Sequence, residues 1–219
     1  MENSLKITKD GSHTLFSPMV QECYHSENGA IQESEHIFIK AGWESCDKTD
    51  IKIFEVGFGT GLNAFLTLLK AKEQGKSVSY TSVEYFPVGG DILNKLNYVQ
   101  QIDAESECCF KKLHEAVWDT RESITPFFTL EKIQADFTKL QLTDSYDLIY
   151  FDAFSPEKQP EMWSQQIFDM LYRHANEGAV LTTYCSKGIV RRAMQAAGFF
   201  VERLPGPPGK REILRAIKK

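Results

Sequence analysis

Three glycines at alternate positions, Gly57, Gly59 and Gly61, stand between a short apolar run, Ile51 to Val56, and an apolar helical pattern from Leu62 to Leu69. A β-branched run, a tight turn and a helix start succeed one another there, so the stretch predicts strand, loop and helix. Glycines in such a turn admit positive φ and let a ligand lie against the main chain, and the first N–H groups of the helix are free donors. A chain organised around this element is an α/β protein with a nucleotide-like ligand at the loop.

Spacing and charge narrow the ligand. With Gly57 and Gly59 placed, the dinucleotide fingerprint G-x-G-x-x-G needs a third glycine where Leu62 stands. No G-K-[ST] follows, which excludes a phosphate loop of that kind. Glu55 sets a carboxylate beside the turn, which repels a pyrophosphate and attracts a cation. S-adenosylmethionine has an adenosine, a sulfonium and an ammonium but no phosphate. It is the cofactor expected at Glu55, Gly57, Phe58, Gly59, Gly61 and Asn63.

At 219 residues and 42% hydrophobic, the chain can bury a sizeable core and reads as a single domain, 1–219. Its start lacks the apolar run of a signal peptide, and no stretch approaches the roughly 18 apolar residues of a membrane span, so a soluble, cytoplasmic protein is expected. Five cysteines without CxxC spacing read as reduced thiols, and five scattered histidines predict no metal site. The net charge of −5 argues against strong non-specific nucleic-acid binding. From Lys187 onward, however, the basic residues Lys187, Arg191, Arg192, Arg203, Lys210, Arg211, Arg215, Lys218 and Lys219 stand against only Glu202 and Glu212; this end reads equally as a solvated face or a polyanion-binding surface.

Residues 1–50 read as a β-rich appendage: a strand from Leu5 to Thr8, a turn at Asp10-Gly11, a hairpin at Asn28-Gly29 and a strand from Glu35 to Ile39. Tyr24, His25 and Ser26 in it either cover a ligand or pack a sheet edge, packing being the commoner use of such aromatic residues. Residues 51–219 read as a Rossmann-like core. After the glycine loop come a helix, a strand from Val78 to Glu84, helices over Val88 to Ile102 and Glu105 to Trp118, and a strand from Phe127 to Gln134.

Carboxylates recur where the strands end. Glu84 is the expected ribose ligand, with Tyr85 beside the adenine. Asp136, followed by Phe137, either accepts the exocyclic amine of adenine or serves as a turn residue. Tyr146 to Phe151 runs into Asp152-Ala153-Phe154-Ser155-Pro156, which sets Asp152 beside the cofactor as a further expected contact, where its ionised carboxylate can orient an amine and accept its proton. Pro160 opens a helix, Gly178 to Tyr184 is a strand, and Ser186 to Ala197 is a helix closed by Gly198. Phe199 to Leu204 and Arg211 to Ile217, with no helix between them, form an antiparallel pair. The predicted fold is therefore a class I methyltransferase: a seven-stranded, mostly parallel sheet with a C-terminal antiparallel strand.

Four blocks, Phe54 to Asn63, Glu84-Tyr85-Phe86-Pro87, Phe151 to Trp163 and Lys210-Arg211-Glu212, also resemble a known family, the methyltransferase domain of the bacterial tRNA-modification enzyme MnmC. The resemblance spans nearly the whole chain. It implies transfer of a methyl group from S-adenosylmethionine to the amine of 5-aminomethyl-2-thiouridine at the tRNA wobble position, with Asp152 as the active-site acid. It also implies a tRNA anticodon stem-loop as partner, held by Phe154, Ser155, Pro156, Lys187, Arg191, Lys210 and Arg211. Bifunctional members continue into an FAD-dependent oxidase, whereas this sequence stops at Lys219; it resembles the stand-alone form, with no FAD and with a separate enzyme supplying the amine. Three other readings stay open: a small-molecule amine methyltransferase, which shares every motif, an aminopropyltransferase of the spermidine synthase type, which uses an acid at a comparable strand end, and a non-enzymatic binding module.

Overall fold

The computed structural model describes residues 2–219. Eleven strands form two sheets among these residues. β1 (Ser4–Ile7), β2 (His13–Ser17) and β3 (Glu22–Cys23) make a small antiparallel sheet. β4 (Asp50–Val56), β5 (Ser77–Glu84), β6 (Arg121–Thr125), β7 (Phe128–Gln134), β8 (Tyr146–Phe151), β9 (Ala175–Thr183), β10 (Phe200–Pro205) and β11 (Glu212–Ile217) make the main sheet, in the order β10-β11-β9-β8-β4-β5-β7-β6. The five strands from β9 to β7 are parallel, and β11 runs antiparallel between β9 and β10. The expected class I architecture is present, with one strand more than the seven expected. The addition is β6, a short edge strand paired with β7, where its Arg121 meets Glu131.

Strand period places the core. On β4, Ile51 and Ile53 face one layer of helices while Phe54 and Val56 face the other; on β8, Leu148 and Tyr150 oppose Ile149 and Phe151 in the same way. Burial on both faces is why these strands read as continuous apolar runs. The first face is covered by α1 (Ala30–Ser34), α2 (Leu62–Gln74), α3 (Gly90–Leu93), α4 (Tyr98–Ile102) and α5 (Glu107–Glu115), the second by α6 (Gln165–His174) and α7 (Gly188–Ala197).

Two expectations are corrected in the appendage. Asn28-Gly29 does not turn a hairpin but leads into α1, and Glu35 to Ile39 is not a strand: Glu35–Lys40 continues from α1 as a wide π-helical turn. Ile37, Phe38 and Ile39 are all buried, Phe38 against Tyr150 of β8, because this segment is enclosed between the main sheet and α2. A short apolar run enclosed on several sides looks the same in sequence whether strand or helix. Residues 88–102, expected as one helix, form α3 and α4, separated by a stretch in which Asn97 bonds to the backbone of Gly11 and His13.

Chain order creates the crevice. From β4 the chain winds outward to β5 and β7, then returns to β8 and winds the other way to β9. The carboxyl ends of β4 and β8 therefore diverge at a topological switch point, where loops part and a ligand can enter.

Candidate active site

The turn after β4 needs its glycines for close approach. Gly57 has φ +90, and a Cβ there would lie 2.8 Å from the backbone oxygen of Asp152, on the neighbouring β8 loop. Gly59 meets the Tyr24 ring and Gly61 meets His114 in the same manner. The loop is thereby pressed onto β8 on one side and the appendage on the other. Phe58 turns away from the crevice, edge-on to His114 and Trp118, and is buried.

A cavity of about 240 Å³ opens over this turn, lined by Gly57, Glu84, Tyr85, Asp136, Phe137 and Phe154 among others. Glu84 ends β5 with Oε2 accepting the Gly59 N–H at 3.1 Å and Oε1 accepting the Phe86 N–H at 2.9 Å. Burial pushes its carboxyl up, although those amides oppose the shift. Each oxygen keeps a lone pair for a hydroxyl. Asp136 lies at the rim, where its Oδ1 accepts from the Thr138 N–H at 3.0 Å and its other oxygen pairs with Lys139 at 2.8 Å; its turn role is filled. A tight turn at Gly57, a carboxylate fixed for a diol and the apolar walls Val56, Val83 and Phe137 fit an adenosine-bearing cofactor.

Glu55 does not reach this cavity. It is fully buried beneath the turn, where Ser82 donates to Oε2 at 2.7 Å and Oε1 accepts no hydrogen bond. Burial pushes its carboxyl up to about 8 from the ordinary 4.5, with the nearby Asp152 charge adding to the rise, so at neutral pH it is largely a neutral acid. Because the folded state holds this proton above the unfolded value, stability is greatest below about 4.5 with respect to this group and falls as pH rises through about 8. Glu55→Gln should accordingly flatten the decline of Tm between these limits, measured by calorimetry at several pH values.

A second cavity of about 270 Å³ lies beside the first, lined by Glu22, Glu33, Asp152, Phe154, Tyr184 and Lys210 among others. Tyr24 and Phe154, edge-to-face at 5.1 Å, line both cavities and stand between them. Asn63, in the first turn of α2, is directed to Asp152 rather than to the first cavity: its Nδ2 donates to Oδ2 at 2.9 Å. Burial first, and the negative charge of Glu33 second, push Asp152 up to about 7 from 3.8. A carboxylate poised there can take a proton and return it near neutrality.

The remaining expected residues divide. Ser155 is held by Glu22 of β3, whose Oε2 accepts its N–H at 3.1 Å and its hydroxyl at 2.9 Å; Pro156 follows on the same loop. Lys210 enters the second cavity. Lys187 pairs with Glu157, and Arg191 and Arg211 line neither cavity. Sequence reasoning missed Glu22, Glu33 and Tyr184 as cavity residues and favoured packing for Tyr24, which lines both cavities. Tyr184 had a usable signal, since it follows a parallel strand at the end where ligands bind. The other three come from the appendage, which no strand-end rule covers. No helix among the described residues is long and apolar enough to cross a membrane.

Comparison with known proteins agrees with this geometry. Residues 98–219 match a family model described as S-adenosyl-L-methionine-dependent methyltransferase. The chain is 31% identical over 234 residues to the tRNA 5-methylaminomethyl-2-thiouridine biosynthesis bifunctional protein MnmC of Burkholderia thailandensis, covering 96% of this chain and 34% of that protein. It is 29% identical over 214 residues to its counterpart in Marinomonas sp., covering 90% and 31%. The chain spans about a third of the length of these curated relatives. The crystal structure of MNMC2 from Aquifex aeolicus superposes with a TM-score of 0.80 at 25% identity, covering 99% of this chain and 70% of that one. With the cofactor cavity, the switch-point topology and the matched family model in agreement, the chain belongs to the S-adenosyl-L-methionine-dependent methyltransferases.

Proposed function

We propose that this protein methylates the amine of 5-aminomethyl-2-thiouridine at the wobble position of tRNA, forming 5-methylaminomethyl-2-thiouridine. The observation that carries the reading is Asp152, raised to about 7, in a cavity adjoining the cofactor cavity across the Tyr24–Phe154 pair. The names of the similar MnmC proteins and the MNMC2 structure support the choice of substrate.

S-adenosylmethionine supplies an electrophilic methyl group on a positively charged sulfur. Glu84 and the Gly57 turn would hold it. Asp152, oriented by Asn63, accepts a hydrogen bond from the incoming amine, takes a proton from it and so leaves the nitrogen lone pair free to attack. Phe154, fixed through the Glu22–Ser155 contact, holds the amine in place and excludes water. Positioning of this kind contributes roughly 7 to 11 kcal/mol when the geometry is a near-attack one. Lys187, Arg191 and Arg211 lie outside the cavities and would meet the phosphates of an anticodon stem-loop. The reading places the protein in the cytoplasm and requires another enzyme to supply the aminomethyl group.

The test is competition between a stem-loop bearing 5-aminomethyl-2-thiouridine and excess free methylamine or spermidine for labelled methyl. Label confined to the oligonucleotide supports the reading. Efficient labelling of the free amines with none in the oligonucleotide makes the protein a small-molecule methyltransferase instead.

A further inference from the structure

The cavity that holds Asp152 also contains a buried carboxylate, Glu33, and a cation, Lys210, neither used in the mechanism above. Glu33, on α1, is 7% exposed. Its Oε2 accepts the Ser26 N–H at 2.7 Å, while Oε1 accepts no hydrogen bond and faces Lys210 Nζ at 3.2 Å. The same Nζ lies 4.1 Å from the centre of the Tyr184 ring. A buried carboxylate oxygen without a donor requires a positive partner. An aromatic face adds attraction for an ammonium, most of all when it is desolvated.

Lys210 is brought there by its loop, which the appendage anchors. Pro205 O contacts His36 Nε2 at 2.8 Å, and Asn28 packs so closely on Gly209 that a Cβ there would clash with Asn28 Nδ2. The Lys210 side chain remains 28% exposed, so it has a route outward.

We propose that Glu33, Tyr184 and Asp152 form a subsite for a primary ammonium, which Lys210 fills in the substrate-free protein and the substrate's own aminomethyl nitrogen fills on binding. The proposal rests on the amine-methyltransferase reading and deepens it. Exchange of one ammonium for another keeps the charge of the buried cup constant, so a cationic amine enters without leaving Glu33 unpaired. The displaced Lys210 becomes available to an anionic phosphate at the cavity mouth. A nucleoside with no amine at this position has nothing to offer in exchange.

Two anticodon stem-loops that differ only at the wobble base, 5-aminomethyluridine or uridine, are titrated with S-adenosylhomocysteine present. In the wild type the ratio of Kd values favours the amine. Lys210→Met removes the competing cation, and the ratio should rise about tenfold; Glu33→Gln should lower it by a factor of about five or more. An unchanged ratio in Lys210→Met, or a uniform loss of affinity for both oligonucleotides, overturns the proposal and leaves Lys210 a fixed partner of Glu33 or a phosphate contact. Failure of the wild type to bind either oligonucleotide counts against the tRNA reading and not against the cup. The cup is read separately by NMR of lysine Nζ groups, with methylammonium chloride as the probe at constant ionic strength. The Lys210 signal, shifted by the Tyr184 ring and identified by its loss in Lys210→Met, should move to the position of free lysine as methylammonium is added. A signal that does not move overturns the proposal.

Discussion

Asp152→Asn should lower kcat by about a hundredfold or more, the scale of a lost general base, while the affinity for S-adenosylmethionine stays within about threefold. The substitution keeps size and keeps an oxygen for the Asn63 Nδ2 contact, so the loop should hold its place. What it removes is the group proposed to take the proton. On the proposed reading, cofactor binding rests on Glu84 and the Gly57 turn in the neighbouring cavity, which Asp152 does not line. The pH profile gives the same separation. Burial holds the Asp152 proton until pH reaches about 7, so kcat/KM in the wild type should climb through that region as the carboxylate forms. Single-turnover rates and equilibrium titrations measure the two effects independently. A variant that methylates at the wild-type rate removes Asp152 from the chemistry.

Gly57→Ala should be the most damaging single change in the cofactor cavity. Its φ of +90 is unfavourable for any side chain, and its Cβ would sit 2.8 Å from the Asp152 carbonyl, a backbone atom that cannot turn aside. Strain of this kind costs on the order of 1 to 3 kcal/mol, and the clash adds to it. A Tm loss of about 5 °C or more is expected, since each kcal/mol shifts Tm by roughly 2 to 4 °C at this chain length. Any relief must move the turn or the β8 loop, so cofactor affinity should fall by about tenfold or more and turnover with it. Gly75→Ala is the control. That glycine also has positive φ, +63, at the end of α2, but nothing lies within 4 Å of its added Cβ. Its cost should appear in Tm alone, with cofactor affinity unchanged.

The core of the fold was legible because its determinants are local. Gly57, Gly59 and Gly61 mark one turn, and each parallel strand ends in a residue whose position follows from the sheet. Glu84 and Asp152 were found in this way, and both line the cavities. Glu55 and Asn63 flank the turn as the spacing predicts, but the sequence does not tell which way their side chains point. Their spacing fixes which strand or helix turn they occupy, whereas the fully buried position of Glu55 and the contact of Asn63 with Asp152 depend on packing against β5 and β8.

The appendage was the least legible region for the same reason. Glu22 latches a loop 133 residues away in sequence, and Glu33 pairs with Lys210 near the opposite end of the chain. Tyr24 looked like a packing residue and is one, since it packs on Phe154, yet that pair forms the wall between the two cavities. Contacts between distant segments leave no periodic trace. Hydrophobic pattern reports the core face of an element but not which loop that element will cover. The basic C-terminal end divides likewise, with Lys210 turned into the site, Arg215 paired with Glu202 and Arg211 exposed.

The most direct measurement is transfer of labelled methyl from S-adenosylmethionine to bulk tRNA from cells lacking this activity, with the nucleosides then resolved by mass spectrometry. Label in 5-methylaminomethyl-2-thiouridine, abolished by Asp152→Asn, is the result predicted here. Tight cofactor binding with no label in any tRNA nucleoside would contradict it.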